Sequence, residues 1–360
     1  MAVIRIFILS LVCIFGSQTA IAEPLRTLIR QPRTMAMGGA GVGLADDEYA
    51  LFQNPAGLAG SDHRRFKLLG LGVEASWDTY EVFGTSIDAL RNFTTDDLNM
   101  LMGKNIAMRA GATPMIQLPG FELAYVVDAQ GSIEQFNQAN PYFDLTDMIT
   151  HGLQAGFGWS LQHGRHPHDE WRIGVAGKVL WRRGGHYQVS TTGFLNATND
   201  SKAYIDNLVG GYGVGFGADA GIQYVNHLDR KTSVSFGASV TDIADTKFSD
   251  SHAARIPMNV SLGVGYQKAF DFLKFKLAAD LRNLNANTGF SNKTHVGVDV
   301  GIPLFDFYVG ANQLNPTFGV AFDLWIVRVS LVSFAEELGV LYHQNTSRMT
   351  MLQVDLNLPI

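Results

Sequence analysis

WRIGVAGKVLWR, residues 171–182, alternates two kinds of side chain with a period of two. Trp171, Ile173, Val175, Val179 and Trp181 fall on one face, and Arg172, Gly174, Ala176, Lys178 and Arg182 on the other, as successive residues of a β-strand do. A tryptophan closes the apolar face at each end. About ten residues of strand at ~3.3 Å each, tilted by ~45°, rise about 23 Å, close to the ~25 Å apolar band that aromatic girdles bracket in a membrane barrel. The segment therefore predicts a lipid-facing strand with Trp171 and Trp181 as interfacial aromatics.

The same period recurs on either side. Val214, Phe216, Ala218, Ile222 and Tyr224 alternate with Gly213, Gly215, Gly217, Asp219, Gly221 and Gln223, and Val296, Val298 and Val300 with His295, Gly297 and Asp299. About 14 strands are predicted, near 65–77, 106–118, 120–134, 148–163, 170–183, 212–226, 231–242, 258–270, 273–283, 293–303, 304–313, 315–324, 325–335 and 347–358. Gly156, Gly158, Gly215 and Gly217 are positions where such a strand can kink. A soluble two-sheet sandwich alternates as well, so the connections have to decide. They run long after the first, third, fifth, seventh, ninth and thirteenth strands and short after the even ones, as at Asn226–Arg230 and Asp271-Phe272; the tight Leu314-Asn315 link breaks the rule. Short turns at one end and long loops at the other belong to membrane barrels, whose closure leaves no unpaired edge in lipid. The expected fold is all-β, a transmembrane antiparallel β-barrel of about 14 strands over residues 63–360, with a partly helical first external loop at about 78–105. In that loop TSIDALRNFTTDDLNMLMG (85–103) offers Ile87, Leu90, Leu98, Leu101 and Met102 as apolar contacts, and Thr95 ahead of Asp96 and Asp97 as a helix cap.

The ends and the composition exclude several functions. Residues 1–22 run from Arg5 through apolar Ile6–Phe15 to Ala20-Ile21-Ala22, which reads as an export signal with an A-x-A cleavage site. Cys13 is the one cysteine and lies inside it, so cleavage removes all thiol chemistry. The net charge of −6 becomes −7 with the loss of Arg5, which argues against nucleic acid as a partner. No later stretch approaches the ~18–20 consecutive apolar residues of a membrane helix. His163, His166 and His168, beside Asp169 and Glu170, match no standard zinc spacing and fall on a predicted short turn. No motif ties a nucleophile, a base and an orienting group together, so neither an enzyme nor a metal or cofactor is expected. The expected location is a bacterial outer membrane, with its lipid as neighbour.

Residues 23–62 do not alternate and need a place other than the wall. MAMGGAGVGLADDEYALFQNPAGLAG (35–60) gathers Gly38, Gly39, Gly41 and Gly43, then Asp46, Asp47 and Glu48, then Asn54-Pro55-Ala56-Gly57, a composition of compact turns and close backbone approach. Gly39, Gly41 and Gly43 lack the spacing of a dinucleotide site, and no Gly-Lys-Ser/Thr completes a P-loop. Placed between an export signal and about 14 strands, this stretch resembles the FadL-like outer-membrane proteins: long-chain fatty-acid transporters and their relatives, including PorV-like and TraF-annotated proteins. The resemblance implies that residues 23–62 fold into the lumen as a hatch, with Gly38, Gly39, Asn54, Pro55 and Ala56 among the hatch residues. It implies either passive uptake of hydrophobic or amphipathic, fatty-acid-like molecules, or a scaffold that docks a secretion, conjugation or surface protein. The chain departs from that class at its end, Asn357-Leu358-Pro359-Ile360, where an aromatic residue is usual.

Charges recur on the face opposite the lipid. Lys274, Lys276, Asp280 and Arg282 share one strand, His295 and Asp299 the next, and Asp323 and Arg328 lie further along. In a barrel interior these either pair with each other and with the hatch, or receive the carboxylate head of an amphipathic ligand. A transporter calls for a continuous apolar pocket, whereas a scaffold tolerates a packed polar interior with its apolar patch outside.

Overall fold

A computed structural model describes residues 28–62, 64–85, 102–136, 142–162, 168–190, 207–250 and 252–359. Its strands are β1 (Arg65–Ser76), β2 (Asn105–Ala112), β3 (Met115–Leu118), β4 (Phe121–Phe136), β5 (Tyr142–Gln162), β6 (Asp169–Ser190), β7 (Gly213–Asp229), β8 (Thr232–Thr241), β9 (Asn259–Ala269), β10 (Lys274–Leu281), β11 (Thr294–Ile302), β12 (Phe305–Asn312), β13 (Asn315–Leu324), β14 (Val327–Glu337) and β15 (Thr346–Pro359). They pair antiparallel in one continuous sheet, and β15 returns to β1 with Arg65 opposite Pro359. β2 and β3 are two halves of one wall strand, both held between β1 and β4 and interrupted at Thr113-Pro114, where proline has no N–H to give the ladder. The sheet is thus a closed barrel of 14 wall strands. Leu352, Leu356 and Leu358 pair with Val73, Leu69 and Phe66, which closes the barrel.

Two features differ from the pattern read in the sequence. β4, β5 and β6 run past their expected ends: Phe136 pairs with Tyr142 and Tyr142 with Ser190, so most of what read as loop at 135–147 and 184–190 is ladder. On these rows Phe143 and Val189 are buried rather than exposed, and a strand without an exposed apolar face does not require the alternation that reveals a membrane strand. The first external loop opens with a helix, Trp77–Thr85, ahead of the 85–103 stretch expected to be the helical part of that loop. Ile87, Leu90, Thr95, Leu98 and Leu101 lie outside the described residues, as do residues 1–22, His163 and His166; Met102 bridges to Gln135.

The two faces of the wall are the reverse of those in a soluble sandwich. Val73, Leu153, Val175, Phe216, Val309, Phe318 and Leu331 are all more than 45% exposed on the outside, while Lys67, Glu122, Gln154, Gln223, Asp219 and Asp355 are buried inside at 0–2% exposure. Apolar area of that extent is left exposed only where lipid covers it. Aromatic pairs mark two heights of the outer surface: Trp171 with Tyr224 (5.0 Å) and Phe305 with Phe322 (4.8 Å) toward the short turns, and His151 stacked on Trp181 (5.6 Å, 11°) with Tyr212 beside it toward the long loops. Val175 sits between these heights on β6. A Val175→Arg substitution is expected to cost about 2–4 kcal/mol of barrel stability, seen as a lowered unfolding midpoint in lipid vesicles; an unchanged midpoint would contradict a lipid-facing position.

Candidate functional site

Inside the barrel lie the described residues that precede β1, 28–62. They contain two short helices, α1 (Pro32–Ala36) and α2 (Ala50–Gln53), and a 3-10 turn, Pro55–Gly60. Between α1 and α2, Gly38 and Gly39 take φ of +68° and +85°, a region that a side chain would strain. Irregular backbone buried in this way needs partners for its polar groups. The wall supplies them. His295 Nδ1 donates to the carbonyl of Gly38 (2.8 Å), Arg282 to that of Gly39 (2.8 Å) and Thr317 to that of Ala36 (2.7 Å). One oxygen of Asp280 accepts from the N–H groups of both Gly41 (2.6 Å) and Val42 (2.8 Å), and Gln223 donates to the carbonyls of Gly43 and Leu44, each at 2.8 Å. Asn54 caps the 3-10 turn by accepting from Ala56 N (3.2 Å), and its amide donates to Val42 (3.1 Å) and to the wall carbonyl of Ile222 (3.3 Å). Pro55, at the first position of that turn, has no N–H left to satisfy.

The wall is also shaped for this segment. A Cβ on Gly297 would lie 2.3 Å from the Met37 carbonyl oxygen, on Gly174 2.2 Å from the Pro55 backbone, on Gly237 2.3 Å from the Val42 carbonyl oxygen and on Gly158 2.4 Å from Ala59 N. Glycine is required at these points because backbone meets backbone. Gly156, with Leu51 and Leu58 against it, and Gly158 are contact points for the segment; Gly215 and Gly217 face Phe248 and Thr246 of the connection between β8 and β9.

Ion pairs complete the attachment. Arg33 binds Asp46 (2.8 Å), Asp47 (2.9 Å) and Asp299 (3.0 Å), and Lys276 binds Asp46 (2.6 Å). Lys67, fully buried on β1, meets Glu48 (3.2 Å), Asp355 (3.3 Å) and the hydroxyl of Tyr49 (2.9 Å). Arg30 is held by Glu74 (2.7 Å) and Glu336. Burial alone would raise the pKa of Asp46, but Arg33 and Lys276 outweigh it and hold the carboxyl far below its usual range. Glu48 faces the same opposition from burial and is brought down to about 2 by Lys67 and Arg65.

Of the residues singled out in the sequence, Lys276, Asp280, Arg282, His295 and Asp299 all contact the inner segment, at the positions just described. Arg328 does not: it binds Asp323 (2.9 Å), Asp306 and the Tyr308 hydroxyl (2.6 Å) near the short turns. Lys274 faces the short-turn mouth with no ion pair among the described residues. Trp171 is on the outer wall. Sequence reasoning missed Lys67, Glu74, Gln154 and Asp355. Their signal is present, as for Lys67 between Phe66 and Leu68: a polar residue at an inward position of an otherwise apolar strand.

Among the described residues, two cavities lie on the short-turn side of the segment. A cavity of about 500 Å³ is bounded by Arg33, Asp46, Arg65, Asp299, Trp325 and Arg328, and a neighbouring one of about 400 Å³ shares Asp46, Lys274 and Lys276 with it. On the other side, about 60 Å³ is left beside Met35, Phe52, Lys178 and Arg282.

Fold and site together define a closed membrane β-barrel whose lumen is occupied by residues 28–62. No protein-family model and no curated protein matches the chain. Among solved structures it is similar to the toluene transporter TbuX of Ralstonia pickettii (13% identity over 92% of this chain and 98% of that one, TM-score 0.46). It is likewise similar to the toluene transporter TodX of Pseudomonas putida (13% identity, 93% and 98% covered, TM-score 0.46) and to a FadL homologue of Pseudomonas aeruginosa (10% identity, 91% and 98% covered, TM-score 0.31).

Proposed function

We propose that this is an outer-membrane barrel for passive uptake of hydrophobic or amphipathic small molecules, exported by residues 1–22 and closed by residues 23–62 acting as a hatch. One observation carries the reading: the lumen is closed by a segment of the chain itself, joined to the wall through hydrogen bonds and ion pairs to backbone and side chains. These contacts belong to the segment and not to the ladder between strands, so the segment can shift while the ladder of the wall stays intact. The reading assigns the chain no catalysis. Uptake of a fluorescent long-chain fatty acid and of an apolar dye should fall in cells lacking the gene and return when it is restored. Unchanged uptake of both would reject the proposal.

A second reading, a scaffold that docks a secreted or surface protein, is favoured by one feature: the two cavities on the short-turn side of the inner segment are lined mainly by charged side chains. Under that reading, crosslinking in the intact outer membrane should return one reproducible protein partner, and a barrel recovered alone would count against it.

A further inference from the structure

In the smaller of the two cavities at the short-turn mouth, cations outnumber acids. The cavity of about 400 Å³ between the β7–β8 turn, the β9–β10 turn and the inner segment is bounded by Arg230, Lys231, Lys268, Lys274 and Lys276, against Asp46 and Asp229. Both acids already have partners: Asp46 binds Arg33 and Lys276, and Asp229 accepts from the backbone N–H of Lys231 (2.7 Å). Lys231 pairs with Asp271, while Arg230, Lys268 and Lys274 make no ion pair among the described residues. Lys274 and Lys276 are two apart on β10 and so point to the same side, opposite Ala269 and Gln267 on β9. The hydroxyl of Ser233 adds a neutral donor to the same wall. A concave surface with an excess of one sign of charge concentrates counter-ions at its base.

From this arrangement we infer that the cavity is a binding site for a phosphate or carboxylate group arriving from the short-turn side, held by Lys274 and by Lys276, which the ligand shares with Asp46. Compact, strongly hydrated ammonium groups suit an anion of this kind as point charges. Occupancy draws Lys276 from Asp46 and so weakens one attachment of the inner segment to β10. The site stands on its own contacts and does not depend on what, if anything, the barrel takes up.

The test is calorimetric titration of the full-length mature protein, purified in mild detergent at low ionic strength, with inorganic phosphate and with octyl phosphate. Saturable binding of at least one is expected. Lys274→Glu, an exposed residue at the start of its strand, should weaken it about tenfold or more, the scale of one lost charge-assisted contact. Lys104→Glu, whose wild-type lysine pairs with Glu81 on the long-loop side, should leave it unchanged. Tighter binding of octyl phosphate identifies an amphiphile headgroup as the ligand class, and equal affinities identify a soluble anion. Absence of saturable binding for both probes overturns the site, as does equal weakening by the two variants. A protein that admits an apolar dye but binds neither phosphate overturns the anion site and leaves the uptake reading standing.

Discussion

Replacing Arg33 by methionine is expected to release the inner segment from the wall. Arg33 stands among three carboxylates, Asp46, Asp47 and Asp299, and its side chain is only 14% exposed. Methionine keeps much of the volume and removes the charge, so only Lys276 remains to balance the group. Removing one partner costs about 3–5 kcal/mol in a fully buried pair and about 0–1 in an exposed one, and these part-buried pairs at the edge of the cavity fall between the two. The penalty falls on the seated segment alone, since the ladder from β1 to β15 does not use Arg33. Amide exchange in residues 30–60 should therefore rise sharply while the strands keep their protection, and conductance in planar bilayers should rise above the wild-type baseline. Unchanged exchange and conductance would show that Arg33 does not hold the segment.

The same ion pairs set a pH dependence whose sign follows from the lowered carboxyl pKa values. A carboxyl held below its ordinary value contributes stability that is fully present above the unfolded pKa and is lost as pH falls through the folded one. For Glu48 that window runs from about 4.3 in the unfolded chain down to about 2 in the folded protein. Asp46 acts in the same direction. The contribution of Glu48 and Asp46 to seating should therefore be constant above about pH 5 and fall in acid, measured again by conductance.

A leucine at Gly297 should have a comparable effect by a steric route. Gly297 lies on the inner face of β11, opposite Ala278 of β10 and Gly310 of β12, and its Cβ would sit 2.3 Å from a backbone oxygen of the inner segment. Backbone cannot rotate away as a flexible side chain can, so the segment must lift. Overpacking typically costs about 1–3 kcal/mol, and here it adds to the loss of the adjacent His295 contact with Gly38. Gly177→Ala is the control, because a Cβ there meets nothing within 4 Å. Gly297→Leu should make cells permeable to large hydrophilic antibiotics and expose residues 30–60 to added protease, with Gly177→Ala silent in both assays. If the two variants behave alike, close packing against Gly297 is not what seats the segment.

Much of this molecule was legible in one dimension. The alternation around Trp171 and Trp181, and the long and short connections, led to a closed barrel of 14 strands with nearly all of their positions, because lipid on one face and a polar lumen on the other impose a period of two on any strand that separates them. Where an exposed apolar face is absent the pattern fails, which is why the extensions of β4, β5 and β6 read as loop. Charged residues of the lumen could be named from their inward positions. Their partners could not, since Asp280 meets Gly41 across 239 positions of sequence and Lys276 meets Asp46 across 230.

What the sequence by itself determined, then, is the wall: which residues face lipid, which face inward, and that Met35–Gly60 is built for tight turns and close approach. The tertiary structure alone decided what the inward residues do. It brought Arg33 among three acids, set Lys67 between Glu48 and Asp355, and placed wall glycines where the inner segment lies against β6, β8 and β11. The physical reason is that alternation is a local property of a strand between two solvents, whereas ion pairing inside the barrel depends on how a separate, irregular segment threads the lumen, and no local period encodes that path.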